Sequence, residues 1–236
     1  MDISCKIRKF NRGISRKMDK PSRKYAGPIR DKERTKLKLL TAVGEIIKEK
    51  GYTGLRIAKI VEKANVDRKT LYDCFGTVDK LIETYIKGKD YYLAYEDQAE
   101  KLVKQYTNGD ANELMKTLLL GQLENFSINK EQQNILMWHL SEDNPLLSDI
   151  NAKRERIGSI FLKLTDSDFQ NTDIDIRART ALLVAGIYLL MLYRKSKQEQ
   201  FCEIDLNSNE GMERIKASIA QMIDEAFEQA KKSKHK

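Results

Sequence analysis

The stretch GYTGLRIAKIVEKANVDRKTLYDCF, residues 51–75, decides the fold of this 236-residue chain. Ahead of it, apolar residues recur every three or four positions from Asp31 until Gly51 stops the run. A second apolar-periodic segment covers about residues 56–63, and a third begins at Asp67, a suitable N-cap, and runs to the end of the stretch. This spacing predicts helices of about 18, 8 and 8 residues joined by short turns, which is a helix-turn-helix unit.

The same periodicity predicts which side chains of the three helices face inward. A polar face remains on the third helix, and this is the face available to DNA, because a recognition helix enters the major groove with its N-terminal turn. The predicted inward residues are Leu37, Leu40, Thr41, Val43, Gly44 and Ile47 on the first helix, Ile57, Ile60 and Val61 on the second, and Leu71 and Phe75 on the third, with Val66 at the turn.

Taken together, these residues resemble the DNA-binding head of the TetR family of transcriptional regulators. The family pattern is present as the Gly-aromatic turn at Gly51, an Ile-Ala pair on the second helix, the turn at residues 64–66, and Thr-Leu-Tyr-x-x-Phe at residues 70–75. The likeness covers about 55 residues, and the combination is far more specific than any single motif. It implies an all-α fold with a three-helix head and a larger C-terminal helical domain for effector binding and dimerisation.

The resemblance also implies a set of DNA-binding residues on and around the third helix. Arg68 and Lys69 have the reach for guanine edges or phosphates, and hydroxyl groups can donate hydrogen bonds to phosphates. A solvated helix face without function is the alternative for these two cations. The full predicted set is Arg56, Arg68, Lys69, Thr70, Tyr72 and Lys80.

Several positions depart from the family pattern. Asn65 replaces the usual turn Gly, and Asn also tolerates the left-handed conformation. Asp67 replaces a common Ser; it caps a helix well but repels phosphate. Arg56 replaces the capping Ser or Thr of the second helix and offers a phosphate ligand, while Val78 stands where a Lys often faces the DNA backbone, with Lys80 nearby. These changes bear on affinity and operator choice more than on the fold.

Beyond the head, apolar periodicity predicts helices throughout. Thr77 is a suitable N-cap for a fourth helix from Val78 towards Tyr106, which Asn108-Gly109-Asp110 would break. No strand-like alternation is long enough to predict a sheet. Further amphipathic helices are predicted at about residues 111–127, 130–141, 146–164, 173–196 and 209–232, with Asn144-Pro145 and the polar stretch 165–172 among the separators.

Charge divides the chain unevenly. Residues 1–30 hold ten basic and two acidic side chains, and their net charge of +8 equals the formal charge of the whole chain. Residues 31–90 hold 14 basic and 10 acidic side chains, so affinity for polyanions should concentrate in the first ninety residues. The N-terminal segment is either a DNA-binding extension or a solvated tail. We expect a flexible basic arm at 1–28, a helix-turn-helix domain at 29–78 that continues into the fourth helix to about residue 90, and a ligand-binding and dimerisation domain at 79–236.

Two segments of the C-terminal domain are predicted to form a homodimer. Residues 173–196 combine an apolar run with small residues such as Ala185 and Gly186, and residues 209–232 carry apolar side chains at helical spacing. Two such helices from each subunit can close a four-helix interface. The alternative is a core helix of a monomer. The longest apolar run, Thr180–Tyr193, is shorter than the ~20 residues of a membrane span and is interpreted as a buried helix.

The effector pocket that the resemblance implies should have apolar walls and a few polar groups. Each candidate, taken singly, is more often a core or surface residue than a ligand-binding one. The pair Trp138-His139 is the least ordinary, but a lone His without an acidic or Cys partner at ligand spacing argues against a metal. The candidates are Tyr92, Tyr95, Phe126, Trp138, His139 and Tyr188, with Tyr91 beside the first of them.

Composition excludes several classes of protein. Three cysteines without a CxxC pair fit a reducing cytoplasm, and no apolar segment follows the basic N-terminus as in a secretory signal. Neither a Gly-rich phosphate loop, nor a nucleophile elbow, nor a His-rich metal motif is present, so neither an enzyme nor a cofactor is expected.

The sequence therefore predicts a cytoplasmic bacterial regulator, a repressor by family analogy. It would bind a palindromic double-stranded DNA operator as a homodimer, with an unidentified small-molecule inducer as a further partner and without a membrane. The alternative is an architectural or non-specific nucleic-acid-binding protein that relies on the basic arm, and this protein would bind all DNA sequences equally.

Overall fold

The computed structural model describes residues 28–90, 93, 111–142, 144–195 and 200–234. These residues divide into two compact units, one ending at Gly88 and one beginning at Lys89. The first unit holds α1 (Pro28–Lys50), a 3-10 turn (Tyr52–Gly54), α2 (Ile57–Ala64), α3 (Arg68–Phe75) and α4 (Val78–Lys89), of which the last residue belongs to the second unit. The second unit holds α5 (Ala111–Ile128), α6 (Lys130–Ser141), α7 (Pro145–Leu162), a 3-10 turn (Lys163–Thr165), α8 (Asp166–Phe169), α9 (Ile176–Lys195), β1 (Gln200–Phe201), β2 (Ile204–Asp205) and α10 (Asn209–Lys234).

The three predicted helices of the head are confirmed. The second and third have eight residues each, as the spacing predicts. The first begins at Pro28 and has 23 residues, which is longer than predicted. Residues 31–34 are all exposed, so no apolar periodicity marks where this helix begins.

The buried face of α1 differs in part from the predicted one. Leu37 is 47% exposed and Thr41 is exposed as well, so their assignment to the core is wrong. Helices α2 and α3 pack against a neighbouring stripe of apolar residues on α1, and this stripe is the one that loses contact with water. The buried side chains of this stripe are Leu39, Ala42, Val43, Ile46 and Ile47.

Gly44 marks a close approach between α1 and α4. A Cβ atom added at this position would lie 2.6 Å from the hydroxyl oxygen of Tyr85, a side chain that is itself buried. Only a residue without a side chain fits at this distance, and the inward placement of Gly44 is confirmed.

The fourth helix begins as predicted but ends early. The Thr77 hydroxyl accepts a hydrogen bond from the backbone N–H of Lys80 at 3.0 Å, which confirms the N-cap. A single helix towards Tyr106 is wrong, because α4 ends at Lys89 and Asp90 is not helical. The Asp90 carboxylate instead accepts the backbone N–H of Leu93 at 3.0 Å, and such local bonds compete with helix continuation. Residues 94–110, with the predicted break, lie outside the described residues.

Helices α5, α9 and α10 form the centre of the second unit, with α5 packed against both of the others. The predicted start of α7 is confirmed, since the Asn144 side chain caps it by accepting the N–H of Leu146 at 3.0 Å. The stretch 165–172, which the sequence predicts as a separator between helices, contains the short helix α8. The core side chains include Leu123, Ile187, Met191, Ile223 and Ala226.

A two-residue antiparallel ladder joins α9 to α10. Gln200 pairs with Asp205 and Phe201 with Ile204, around two central residues with positive φ. Gly211 on α10 lies against it, because an added Cβ would be 1.9 Å from the Asp205 carbonyl oxygen. This small hairpin was not predicted, and it leaves the all-α architecture unchanged.

Helix α9 is not the buried helix that its apolar run suggested. Its segment Ile176–Arg194 is long and apolar enough to cross a membrane by length and composition, yet 17% of it is buried. One face carries buried Ile187 and Met191, while Leu182 on the opposite face is 74% exposed. The interpretation as a buried helix is therefore wrong for the single chain, because the residues that the structure describes cover only one of its two apolar faces.

Candidate nucleic-acid interface

The turn between α2 and α3 sets the direction of the third helix. Asn65 adopts the left-handed conformation with φ of 51°, and its backbone N–H donates to the Glu62 carbonyl at 3.1 Å. Asp67 then caps α3 by accepting the N–H of Thr70 at 2.6 Å. This hydrogen bond holds the pKa of the Asp67 carboxyl below its usual range. Both predicted turn functions, the left-handed Asn and the acidic cap, are confirmed.

Helix α3 has one anchored face and one exposed face. Leu71 is fully buried, and Phe75 four residues later is half-buried. Arg68 and Lys69 are exposed in the first turn, where a recognition helix meets base edges. Tyr72 is 44% exposed, Thr70 is half-buried with its backbone N–H held by the cap, and Cys74 is half-buried. The face therefore combines two long cations with two hydroxyl groups.

Arg56 lies at the N-cap position of α2 and is exposed, and its side chain makes no capping hydrogen bond. Losing a capping side chain here costs about 1 kcal/mol relative to Ser or Thr. The exposed guanidinium lies at a helix N-terminus, where backbone N–H groups also favour negative charge.

Lys80 lies two residues into α4 and already has a carboxylate partner. Its ammonium is 2.9 Å from Glu83, which also pairs with Lys87. The two cations, Lys87 first, lower the pKa of Glu83 to about 2, so its carboxylate remains charged at neutral pH. With a side chain that is 59% exposed, Lys80 can reach a phosphate, but it must then leave Glu83. The basic arm at 1–28 lies outside the described residues apart from Pro28, at which α1 begins.

A groove of about 520 Å³ runs between α9 and α10 in the second unit. Its floor is apolar, and two exposed residues, Leu182 and Met222, stand on its sides at 74% and 53% exposure. Opposite charges border it, with Arg179 on α9 and Glu225 on α10. Both predicted dimer segments contribute to this surface, which we call the α9–α10 groove.

A second cavity, of about 620 Å³, lies between α5, α7 and α9, and we call it the body cavity. Most of its wall is apolar, and its polar lining includes Tyr188 and Arg154. The pKa of Tyr188 is raised by burial, and its ring packs against Phe126 with centroids 5.0 Å apart.

The six predicted pocket residues are only partly brought together. Tyr188 lines the body cavity and Phe126 packs behind it. Trp138 and His139 do not line it: the Trp138 indole donates to Glu142 at 3.1 Å, and burial together with the charge of Arg154 lowers the pKa of His139. The remaining two, Tyr92 and Tyr95, lie outside the described residues, as does Tyr91.

Sequence reasoning missed the ion pair beside this cavity. The Arg154 Nε donates to Asp90 Oδ2 at 2.6 Å, and Asp90 is 7% exposed. A signal was present, because Leu147, Ile150, Ile157 and Phe161 are buried at spacings that place position 154 on the same face. A cation on an apolar helix face needs a buried partner.

Within residues 28–90, 111–142, 144–195 and 200–234, no group of three or more His, Cys, Asp or Glu side chains could hold a metal ion. Cys202 is exposed on the hairpin.

No protein-family model matches this sequence, and no curated protein sequence matches it. Solved structures, in contrast, resemble the fold. A candidate TetR-family transcriptional regulator from Rhodococcus sp. is 19% identical with a TM-score of 0.56, over 83% of this chain and 99% of that chain. NalD from Pseudomonas aeruginosa, the secondary repressor of the MexAB-OprM multidrug efflux pump, is 17% identical with a TM-score of 0.55, over 81% and 96%. FadR from Bacillus subtilis, solved in complex with stearoyl-CoA, is 15% identical with a TM-score of 0.54, over 79% and 96%.

These matches cover nearly the whole length of each solved chain, so they include both the helix-turn-helix unit and the helical second unit. At sequence identities between 15% and 19%, these matches show a similar fold and nothing further. Together with the α2–turn–α3 geometry, they establish that this chain has the all-α fold of the TetR-family transcriptional regulators.

Proposed function

We propose that this chain is a sequence-specific DNA-binding transcriptional regulator. It binds a palindromic operator as a homodimer and acts as a repressor whose affinity changes when a small molecule binds its second unit.

One observation carries the proposal: α3 is anchored by fully buried Leu71 while Arg68 and Lys69 stand exposed in its first turn. Arg can contact the two acceptors of a guanine edge at once, and each such contact is worth about 1–3 kcal/mol of discrimination between bases. Tyr72 and Thr70 add hydroxyl donors for phosphates, which orient the helix without reading sequence. This combination fits a reader of the major groove.

The α9–α10 groove supports a homodimer. Its apolar floor and exposed Leu182 and Met222 would lose contact with water if a second copy docked there. The charged side chains at its borders, Arg179 and Glu225, would cost free energy in the hydrocarbon of a membrane. They suit the polar rim of a protein interface. A two-fold dimer also carries two heads, and one head alone reads too few base pairs for useful specificity.

The body cavity supports control by a small molecule. Its volume of about 620 Å³ falls in the range of ligand pockets, and its lining is mostly apolar with a few polar groups. Two proteins of similar fold agree with this class of function, since one is named as a repressor and one was solved with stearoyl-CoA.

Selection of bound fragments from random double-stranded DNA tests the proposal with the full chain. The expected result is an inverted repeat whose half-sites are spaced for two heads on one face of the duplex. Arg68→Ala and Lys69→Ala should weaken binding to this operator while leaving stability within about 0.5 kcal/mol, as expected for exposed positions. Lys163→Ala, an exposed cation of the second unit, is the matched control and should bind normally.

The alternative, a non-specific or architectural binder, makes the opposite prediction. Such a protein would recover no motif, would bind every duplex equally, and would lose affinity steeply with salt for all of them. Normal operator binding by both Arg68→Ala and Lys69→Ala would show that α3 is not the reading element.

A further inference from the structure

The residue that follows α4 is fixed by a buried ion pair. Asp90 comes directly after Lys89, the last residue of the helix, and its two carboxylate oxygens have different partners. One accepts the N–H of Leu93 at 3.0 Å, and the other accepts the guanidinium of Arg154 on α7 at 2.6 Å. The Gln132 side chain also donates to the Lys89 carbonyl. Lys89 and Asp90, the first two residues of the second unit, are therefore held by side chains of α6 and α7.

The cation of this pair is also part of the wall of the body cavity. Arg154 lines it, whereas Asp90 does not. The other charged lining residues, Glu155 and Arg177, are exposed, so Arg154 is the half-buried charge among the lining residues that the structure describes. An anion inside the cavity would meet the same guanidinium that holds Asp90.

The rest of the wall limits the chemistry of a ligand. Apolar side chains of α5, α7 and α9 supply most of it, including Leu118, Phe161 and Val184. Such a wall binds an apolar body, and a half-buried guanidinium binds a carboxylate or another oxyanion. A cationic ligand would place its charge near Arg154 and would be repelled.

We propose that the effector of this chain is an amphiphile with a single anionic group, and that this group takes Arg154 away from Asp90. The inference rests on the proposed function, because it assigns the ligand class and the regulatory contact of the same regulator. Once Arg154 is occupied, the nearly buried Asp90 carboxylate loses its ion pair with this guanidinium, an unfavourable change that favours movement of the chain at residue 90. Because α4 begins at Val78, directly after the recognition helix and its turn, the exchange acts at the chain segment that leads to the DNA-reading head.

Three probes of equal chain length test the ligand class. Decanoate, 1-decanol and decyltrimethylammonium, each below its aggregation limit, are titrated into the full-length protein by calorimetry. Decanoate should bind about tenfold or more tightly than the other two, within the usual range of coupling between sites. Equal affinities for decanoate and 1-decanol would overturn the proposal.

Matched variants test the ion-pair exchange. Arg154→Gln should abolish the preference for decanoate, while Arg177→Gln, which removes an exposed cation of the same wall, should keep it. Asp90→Asn removes the competing carboxylate and should tighten decanoate binding about tenfold. The double variant Asp90→Asn with Arg154→Gln removes both charges of the pair, so it should fold and should bind decanoate no better than 1-decanol. Retained preference in the double variant would assign the anion to another group.

A second readout separates this inference from the proposed function. Operator affinity of the wild type should change on adding decanoate, and Asp90→Asn alone should change it in the same direction. A protein that selects no operator but prefers decanoate would refute the regulator proposal and leave the ligand class standing. A protein that binds its operator but shows no preference between the probes would refute the ligand class alone.

Discussion

Leu182→Ala is the sharpest test of the proposed dimer. Leu182 is 74% exposed in the single chain and borders the α9–α10 groove, so it has the most apolar surface to lose on docking. Alanine retains helix propensity and removes only the apolar side chain. Its effect should therefore fall on association and not on folding.

The magnitude follows from that exposure. Complete burial of a Leu side chain contributes about 1.5–3 kcal/mol, so burying the exposed three-quarters contributes about 1–2 kcal/mol. A two-fold interface contains the residue twice, which gives about 2–4 kcal/mol per dimer. With tenfold for each 1.4 kcal/mol, the dimer dissociation constant should rise by about 30- to 700-fold. Because Ala keeps its Cβ, the lower end of that range is expected.

Sedimentation velocity over a dilution series measures the dissociation constant directly. Ile128→Ala is the matched control, since Ile128 is 83% exposed on α5 and does not line the groove. Operator binding should weaken together with dimerisation. The binding curve should also depend more steeply on protein concentration, because two chains must then assemble on the DNA.

Two outcomes would refute the reasoning. An unchanged dissociation constant for Leu182→Ala would mean that the α9–α10 groove is not the dimer contact. An equal loss in Ile128→Ala would mean that exposed apolar surface in general drives association, without a specific interface.

Three further predictions concern the head. Gly44→Ala places a Cβ atom 2.6 Å from the Tyr85 hydroxyl oxygen. The resulting overpacking should lower the free energy of unfolding by about 1–3 kcal/mol, which should outweigh the roughly 1 kcal/mol gained in helix propensity. Urea unfolding should show this loss and its partial recovery in the double variant with Tyr85→Phe, whereas a stabilised Gly44→Ala protein would contradict the close approach. Glu83→Gln releases Lys80 from its carboxylate, so affinity for random DNA should rise and the salt slope should steepen by up to about one; identical binding curves would remove Lys80 from the interface. Asp67 stabilises the head fully above pH 3.8 and loses this effect as the pH falls through its depressed folded pKa. The gap in thermal midpoint between wild type and Asp67→Ala should therefore narrow on acidification, and a constant gap would argue against the cap.

The head was predictable because its decisive contacts are local. The Asp67 cap and the left-handed Asn65 involve partners within three residues, so the sequence order already contains them. The buried face of α1 was only partly predictable, since apolar residues cover more than one stripe of that helix. Choosing Leu39 over Leu37 requires knowing where α2 and α3 lie, and this is long-range information.

In the second unit, the decisive contacts join residues that are far apart in the sequence. Helix positions followed from periodicity, but the partners across helices did not. Asp90 and Arg154 are 64 positions apart, and no local pattern joins them. The exposed face of α9 was misjudged for a related reason: apolarity indicates that a surface avoids water, but it does not say whether the same chain or another covers it.

The α9–α10 groove and the Asp90–Arg154 pair of the second unit have different physical consequences. The α9–α10 groove is apolar and bordered by exposed charges, so its free energy scales with the area that a partner covers. The Asp90–Arg154 pair is nearly removed from water, and breaking such a pair leaves a charge that the surroundings cannot solvate. The free energy of an apolar contact changes gradually as substitutions alter the buried area. A buried ion pair, in contrast, has two states: the two residues are paired, or one of them has exchanged its partner. A regulator needs both behaviours: a permanent contact that holds two heads together, and a switchable one next to the cavity. In the proposed regulator, a switch at the residue after α4 would let the ligand act on the head while the dimer stays intact.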